Sequence, residues 1–279
     1  MQLFSSATGS DLLIVYGVLL AASTAAAWAI PARLRAAGRR GEVLDAESAG
    51  FLAGGRARLA ETVMADLYVR GGLEARGGSR LAVSRREMSA GPAGKALLAL
   101  EGTITTNTAK AALKVHAERL AGRLRRAGLL MWPDDHLRLR WLSIAPFLAL
   151  LVFGLYRLRA ADTVDAPTGP LPVLLGLTLL LAAIRFARSD PRTKAGIAAL
   201  DELRQRRGQG IGSARGEYTA MAVALHGTAV LVGTPWEALH ALRQPGEGGS
   251  GSSQADGGSG DWFGDASCDA GGDGGGCGD

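Results

Sequence analysis

Three long apolar runs divide the chain, and arginines close each of them. The runs cover residues 12–30, 141–156 and about 166–184. The first spans 19 residues, close to the roughly 20 residues with which a helix crosses the hydrocarbon core of a bilayer. The second and third contain no charged side chain, and one such charge at mid-membrane costs about 2.5 kcal/mol or more. The pattern predicts three transmembrane helices.

Each run also has another interpretation. Ala25-Ala26-Ala27 resembles the cleavage site of a signal peptide, but signal peptides carry their basic residues before the apolar segment rather than after it. An uncleaved anchor is therefore favoured for the first run. The second and third runs could form a buried helical hairpin of a soluble domain. Because neither run has a polar face, spanning is favoured.

Basic residues beside the runs predict the orientation. Residues 1–11 contain none, the loop at 157–165 balances two arginines with two aspartates, and every other flank is basic. Because cytosolic flanks carry the excess of Lys and Arg, we expect an outside N-terminus and a cytosolic C-terminus in a bacterial cell membrane. The basic flanks are Arg33, Arg35, Arg39, Arg40, Arg138, Arg140, Arg185, Arg188, Arg192 and Lys194.

The predicted fold is mainly α-helical, with a membrane part, a small cytosolic domain and a tail. Glycine, serine and aspartate dominate the tail, which therefore cannot bury enough apolar surface to become ordered. The predicted segments are an outside N-terminus (1–11), a first span (12–30), a basic juxtamembrane segment (31–41), a cytosolic helical domain (42–140), a second span (141–156), an outside loop (157–165), a third span (166–184), a cytosolic C-terminal helical region (185–243) and a disordered tail (244–279).

The middle domain begins with a helix followed by two short strands. Leu59, Val63 and Leu67 recur at helical spacing and predict a helix over 57–69. Arg70-Gly71-Gly72 should end it, since glycine is the usual residue past a helix end. Strands are predicted over 73–76 and 80–84, on either side of a glycine turn. This order resembles the second half of a winged-helix unit.

A second helix is predicted over 108–127, with Arg119, Arg123 and Arg126 along one stripe. Such a stripe could contact nucleic-acid phosphates. Residues 42–140 carry 16 bases and 11 acids, however, a modest excess that does not favour a nucleic-acid partner. The whole chain has a net charge of +5. Its basic body suits the anionic lipids of the inner leaflet, which we expect to be bound through Arg33, Arg35, Arg39 and Arg40.

The sequence contains no motif that points to catalysis. It has no glycine-rich phosphate loop, nucleophile elbow or paired-histidine metal helix. Asp134-Asp135-His136 could hold a cation, but acidic residues there also suit the start of a helix, which is favoured. Cys268 and Cys277 are too few for a tetrahedral zinc site. We therefore predict no catalytic, cofactor-binding or metal-binding residues.

The C-terminal region should contain a helix over 193–207 and an apolar stretch at 218–232. That stretch is short and is interrupted by His226-Gly227. A soluble or interfacial element is favoured there, while a fourth membrane segment stays open.

The layout resembles a family of uncharacterised bacterial membrane proteins with a low-complexity C-terminal tail that bears glycine and cysteine. The resemblance covers most of residues 42–279 and implies the layout without implying an activity. Our leading hypothesis is a non-enzymatic scaffold that recruits an unknown protein partner at the inner leaflet. The alternative is a membrane-tethered winged-helix DNA-binding regulator, and a third is an enzyme or metal-handling protein that uses His136 or the tail cysteines. The segments that carry the resemblance are Ala49-Gly50-Phe51-Leu52-Ala53-Gly54-Gly55, Gly128-Leu129-Leu130, Arg192-Thr193-Lys194-Ala195-Gly196 and Ala222-Val223-Ala224-Leu225-His226-Gly227.

Overall fold

The computed structural model describes residues 9–39, 41, 45–76, 80–162, 171–187, 190–208 and 216–241. These residues are mainly α-helical, as the sequence predicts. They form a bundle of three apolar helices and a globular domain with a small β-sheet. The elements are α1 (Gly9–Leu34), α2 (Ala46–Val69), β1 (Leu73–Ala75), β2 (Leu81–Val83), α3 (Pro92–Leu98), β3 (Thr103–Ile104), α4 (Thr106–Ala112), α5 (Lys114–Arg126), α6 (Pro133–Asp162), α7 (Leu171–Ala187), α8 (Lys194–Gly208), α9 (Gly216–His226), a 3-10 helix (Thr228–Leu231) and α10 (Ala238–Ala241).

Two of the bundle helices are long and apolar enough to cross a membrane. The candidate spans are Ile14–Leu34 in α1, with 21 residues, and Pro133–Arg159 in α6, with 27 residues. The third apolar helix, α7, has 17 residues. The first five residues of the span predicted at 166–184 lie outside the described part of the chain.

The helix that contains the second predicted span extends beyond that span at both ends. Helix α6 has 30 residues and is therefore about 45 Å long, and it continues through 157–162, where a loop was expected. The helix is longer than the predicted span because hydropathy detects only the apolar part of a helix. The end residues of α6 include leucine and arginine, which favour the helical conformation although the ends are not uniformly apolar. Helix α1 likewise continues past the expected end at residue 30, through Pro31 to Leu34.

Contacts across the bundle show that α1 and α7 run in the same direction. The Tyr16 hydroxyl lies 2.9 Å from the Thr178 hydroxyl. About eleven residues further along the first helix, the Ala27 carbonyl oxygen accepts a 3.0 Å hydrogen bond from Nε of Arg185. The two helices therefore run parallel and at the same level between these two contacts.

Helix α6 runs in the opposite direction. Its C-terminal half approaches the start of α7 at Gly154, where an added Cβ would lie 2.6 Å from a side-chain carbon of Leu175. At its other end, the Arg140 guanidinium lies 3.4 Å above the ring centre of Phe186. The three helices thus alternate in direction, as in an up-down-up bundle.

The bundle is apolar on its outer surface as well as in its core. Its buried core includes Tyr16, Phe147 and Leu150. A helix that is apolar all round is typical of a membrane span or of the interior of a large protein. Among the described residues, all exposed large hydrophobic side chains lie on α1, α6 or α7 except Val115, Trp132, Tyr218 and Val232.

The globular domain is built around α2, which packs most extensively against α9. Leu52, Leu59 and Met64 of α2 share one buried cluster with Val223 and Leu225 of α9. The core of the middle domain therefore includes residues from beyond the bundle. Helix α9 has 11 residues, far fewer than a membrane crossing needs. Its packing is that of a core helix rather than a fourth span.

The predicted strands form an antiparallel hairpin. Leu73 pairs with Val83 and Ala75 pairs with Leu81, and β3 adds to the other edge of β2 through the pairing of Leu81 with Ile104. A hairpin after a helix is also part of a winged-helix unit, but that finer interpretation stays a prediction.

Two helix ends follow the same glycine-dependent geometry. Helix α2 ends where the amide of Gly71 bonds to Tyr68 O and that of Gly72 bonds to Leu67 O. Gly128 and the residue after it repeat this pattern at the end of α5. Both glycines have φ near +75°, a conformation that suits glycine. The sequence predicted both helix ends.

The helix predicted over 108–127 is divided. Thr105 caps α4 through a bond with the amide of Thr108, and Leu113 separates α4 from α5 with ψ of 0°. Leu113 is buried. The break at Leu113 lets the apolar residues of both α4 and α5 pack into the same core cluster. Helix α8 agrees closely with the helix predicted over 193–207. The tail (244–279), with Cys268 and Cys277, lies outside the described residues.

Candidate functional site

Three connecting segments meet where the bundle joins the globular domain. They are the segment after α1, the segment before α6 and the segment before α8. The amide of Met131 donates to Pro191 O at 2.9 Å. Pro191 belongs to the segment before α8, and at the end of that segment the amide of Lys194 donates to Ala36 O at 3.0 Å. Main-chain hydrogen bonds therefore join all three connections at the basic end of the bundle.

Thr193 lies at the centre of this junction. Its side-chain oxygen is 2.8 Å from Gly128 O and 3.0 Å from Leu129 O, the acceptors of its hydroxyl. The same oxygen accepts a 3.0 Å hydrogen bond from the amide of Gly196, which caps the first turn of α8. Thr193 is 3% exposed. One buried hydroxyl thus connects the start of α8 to the end of α5.

Glycines permit the close approach of these segments. A Cβ at Gly196 would lie 2.2 Å from Leu129 O. Gly38 has φ of +72°, and a Cβ there would lie 2.3 Å from Gly128 O. A larger residue at either position would push the connections apart. Two of the segments that carry the family resemblance, around 128–130 and 192–196, therefore contact each other here.

A small cavity lies directly beside the junction, at the basic end of the three bundle helices. Its volume is about 40 Å³, several times the roughly 10–15 Å³ that one water molecule needs. Three arginines, a histidine and an aspartate supply most of its polar surface. The lining residues are Pro31, Arg35, His136, Leu139, Arg140, Ser143, Arg185 and Asp190.

Pro31 explains how one of these arginines is held. Proline has no amide hydrogen, so it cannot bond to the carbonyl four residues earlier in the helix. That carbonyl belongs to Ala27, and it accepts from Nε of Arg185 instead. The proline inside α1 thus provides a main-chain acceptor that positions the Arg185 guanidinium beside the cavity.

Arg35 and Arg140 are held in other ways. Arg35 lies 3.7 Å from the Asp190 carboxylate, which also accepts from Nε of Arg192 at 3.1 Å. Arg140 stacks on the ring of Phe186, an attraction between a cation and an aromatic face. In the described part of the chain, no hydrogen-bond acceptor lies within reach of the buried Nε atom of Arg35 or of Arg140.

The structure separates the members of the possible cation site. Asp134 and Asp135 are exposed in the first turn of α6, whereas His136 is 7% exposed and lines the arginine-rich cavity. Within the described residues, no three His, Cys, Asp or Glu side chains lie close enough together to hold a metal ion.

The four arginines expected to bind lipid have different positions. Arg33 and Arg39 are exposed, Arg35 lines the cavity, and Arg40 lies outside the described residues. Sequence reasoning named Arg140 and Arg185 only as flanks of the apolar runs. Their common cavity was missed, because no local pattern shows that residues so far apart in the chain converge.

A second polar cluster lies inside the globular domain, between α2 and α9. Arg58 forms a 3.2 Å ion pair with Glu61 and lies against Gly227. Burial, together with the positive charges of Arg204 and Arg58, holds the pKa of His226 below its usual value. Arg58 also lies against Gly54, so its side chain lies between the resemblance segments at 49–55 and 222–227. The buried pairing of Arg58 with Glu61 indicates a structural role.

Comparison with family models, with curated proteins and with solved structures found no match to this chain. The family resemblance noted in the sequence therefore stays a prediction.

Proposed function

We propose that this chain is a three-span membrane protein that holds its globular domain at the inner face of a bacterial cell membrane. There the domain serves as a non-enzymatic platform for a protein partner. The observation that carries the proposal is the junction, where three connections are hydrogen-bonded together at the arginine-rich end of an apolar bundle. Such a junction fixes the position of the domain relative to the bundle.

The packing of α7 supports a third span. Helix α7 lies parallel to α1 and antiparallel to α6, at the same level in the bundle. If α1 and α6 cross the hydrocarbon core, α7 occupies the same layer. Its 17 residues extend about 25 Å. Its Val173 and Leu179 side chains are exposed on the outside of the bundle, where lipid chains would cover them.

The distribution of charge supports the orientation. Arg33, Arg138 and Lys194 all lie at the end of the bundle that adjoins the globular domain. Short cytosolic flanks carry more Lys and Arg than external ones, so this end belongs on the cytosolic side. The globular domain then lies beside anionic lipid headgroups, whose attraction is about 1 kcal/mol for each suitably placed basic residue.

Cysteine labelling of intact cells with a membrane-impermeant reagent tests the arrangement. Single cysteines are placed at Ser6, Ser84, Thr163 and Ser252 in a variant without Cys268 and Cys277. The proposal requires labelling from outside at Ser6 and Thr163 only, and labelling at the other two positions after the cells are opened. Labelling of the exposed Ser84 in intact cells would place the globular domain outside and refute the proposal.

The platform role needs its own test. A photo-crosslinking residue at Ser84 and another at Ser252 should capture the same protein in cells, because both positions are on the proposed cytosolic side of the membrane. A crosslinker at Thr163 is the matched control on the opposite side of the membrane. If a different protein were captured at each position, or the same protein at all three, the proposal of one partner on the cytosolic side would be contradicted.

A DNA-binding regulator is the second candidate, and the surface of α5 favours it. Arg119, Arg123 and Arg126 are all exposed along one face of the helix. The test is salt-dependent retention of the full chain on DNA, since residues 42–140 alone would expose the surface that packs against α9. Retention that Arg119→Gln and Arg123→Gln weaken, with a shallower salt dependence, would support this candidate. Unchanged retention would exclude it.

A further inference from the structure

The cavity at the base of the bundle carries more positive than negative charge. Arg35, Arg140 and Arg185 line it, and Asp190 is the one acidic residue among its described lining residues. That carboxylate is shared with Arg192 outside the cavity. The guanidinium groups of Arg35 and Arg185 repel each other. Like charges that are partly buried side by side are costly, so an anion held in the cavity would offset the repulsion.

The donors in the cavity suit a phosphate group. Guanidinium groups present planar, paired N–H donors that match phosphate oxygens. The Nε–H groups of Arg35 and Arg140 are buried, and no acceptor in the described residues takes them. The Ser143 hydroxyl, also in the lining, already donates a 2.8 Å hydrogen bond to the Arg140 carbonyl oxygen, so it adds no free donor to those of Arg35 and Arg140. Several donors of fixed direction, rather than one mobile surface charge, therefore surround the space.

The level of the cavity in the bundle indicates the source of the phosphate. The lining residues Arg140 and Ser143 lie on either side of Trp141, which is 53% exposed on the outside of α6. Tryptophans are enriched where lipid chains meet headgroups, and Trp141 lies near the end of α6 at which the candidate span Pro133–Arg159 begins. A headgroup phosphate in the inner leaflet would therefore lie at the height of the cavity.

We propose that this cavity binds the phosphate of one anionic lipid, with Arg35, Arg140 and Arg185 as its ligands. The inference rests on the proposed function, because it requires the three helices to span a membrane. It adds that the junction holds a particular lipid headgroup, beyond the general attraction of basic flanks to an anionic surface. The bound phosphate would connect α1, α6 and α7 at the end that supports the globular domain.

The test measures binding of short-chain phosphatidylglycerol to the full-length protein in a neutral detergent, with short-chain phosphatidylcholine and inorganic phosphate as the other probes. The double variant Arg35→Gln, Arg140→Gln removes two ligands. The matched control, Arg33→Gln with Arg138→Gln, removes the same charge from exposed positions two residues away from each ligand. We expect the first variant to bind phosphatidylglycerol about a hundredfold or more weakly, because it loses two charged hydrogen bonds, each of which contributes about tenfold or more to binding. Equal weakening by both double variants would overturn the proposal.

Asp190→Asn provides a test that misfolding cannot imitate. It removes the one negative charge of the described lining while keeping an oxygen acceptor for Arg192. Binding of phosphatidylglycerol should tighten by about fivefold, since a nearby like charge is removed. Unchanged or weaker binding would count against an anion site.

The three probes separate the possible sources of the phosphate. Binding of phosphatidylglycerol, with much weaker binding of phosphatidylcholine and inorganic phosphate, supports the lipid. Equally tight binding of inorganic phosphate would refute the lipid and leave a site for soluble phosphate. The result is also separable from the topology. If Ser84 is labelled from outside while the cavity arginines still control lipid binding, the platform proposal fails and the anion site remains.

Discussion

Thr193 offers a direct test of the junction between the bundle and the globular domain. Thr193→Val keeps the shape of the side chain and removes the hydroxyl. The amide of Gly196 then loses its acceptor, and the carbonyl oxygens of Gly128 and Leu129 lose their shared donor. Because Thr193 is 3% exposed, water cannot replace these hydrogen bonds.

The expected effect is larger than that of an ordinary helix cap. Loss of an N-cap side chain typically costs about 1 kcal/mol, and a buried amide left without an acceptor costs about 1–3 kcal/mol. The hydrogen bond that the Thr193 hydroxyl donates contributes about a further 0.5–1.5 kcal/mol, so we expect Thr193→Val to lower the free energy of unfolding of the globular domain by about 1.5–4.5 kcal/mol. Thr193→Ser keeps the hydroxyl and should retain most of the stability.

Urea unfolding of the full-length protein in a neutral detergent, followed by tryptophan fluorescence, measures the effect. Thr105→Val is the matched control, because Thr105 caps α4 through the same kind of bond but at an exposed position. It should cost about 1 kcal/mol. If both variants lose the same stability, the Thr193 hydroxyl is an ordinary helix cap and its hydrogen bonds do not hold the junction together.

Three other predictions concern stability. Gly196→Ala should destabilise the globular domain by about 2 kcal/mol or more, because the new Cβ would lie 2.2 Å from a main-chain oxygen. The control Gly122→Ala in α5, where a Cβ would have no atom within 4 Å, should stabilise the domain by about 0.5–1 kcal/mol. Thermal unfolding compares the two variants, and equal effects would contradict the close approach at Gly196. The lowered pKa of His226 means that the unfolded chain binds the proton more readily, so stability should be full above pH of about 6.5 and decline as pH falls toward the lowered pKa. Urea titrations across that range should show this slope in the wild type and a smaller one in His226→Gln. Tyr16→Phe removes the hydrogen bond between the Tyr16 and Thr178 hydroxyls, which connects α1 to α7. The free energy of unfolding of the bundle in denaturing detergent should fall by about 0.6 kcal/mol. A loss of several kcal/mol would mean that this one hydrogen bond holds the bundle together.

The sequence alone predicted the features that depend on neighbouring residues. Apolar length located the bundle helices, since burial in hydrocarbon depends on an unbroken run of side chains. The helix ends at Gly71 and Gly128 could be predicted because the backbone there needs a positive φ, which few residues other than glycine tolerate. The β1–β2 hairpin followed from a glycine turn between short apolar strands. In each case the cause and the effect lie within a few residues of each other.

Only the tertiary structure decided which distant residues meet. Helix α9 was ambiguous as an apolar stretch, and its packing against α2 makes it part of a core. Arg35, Arg140 and Arg185 look like three unrelated basic flanks in the sequence, and they line one cavity because the alternating directions of α1, α6 and α7 bring their ends together. The role of Pro31 depends on an arginine about 150 residues away. Such convergence is set by packing between elements, which no local pattern of residues encodes.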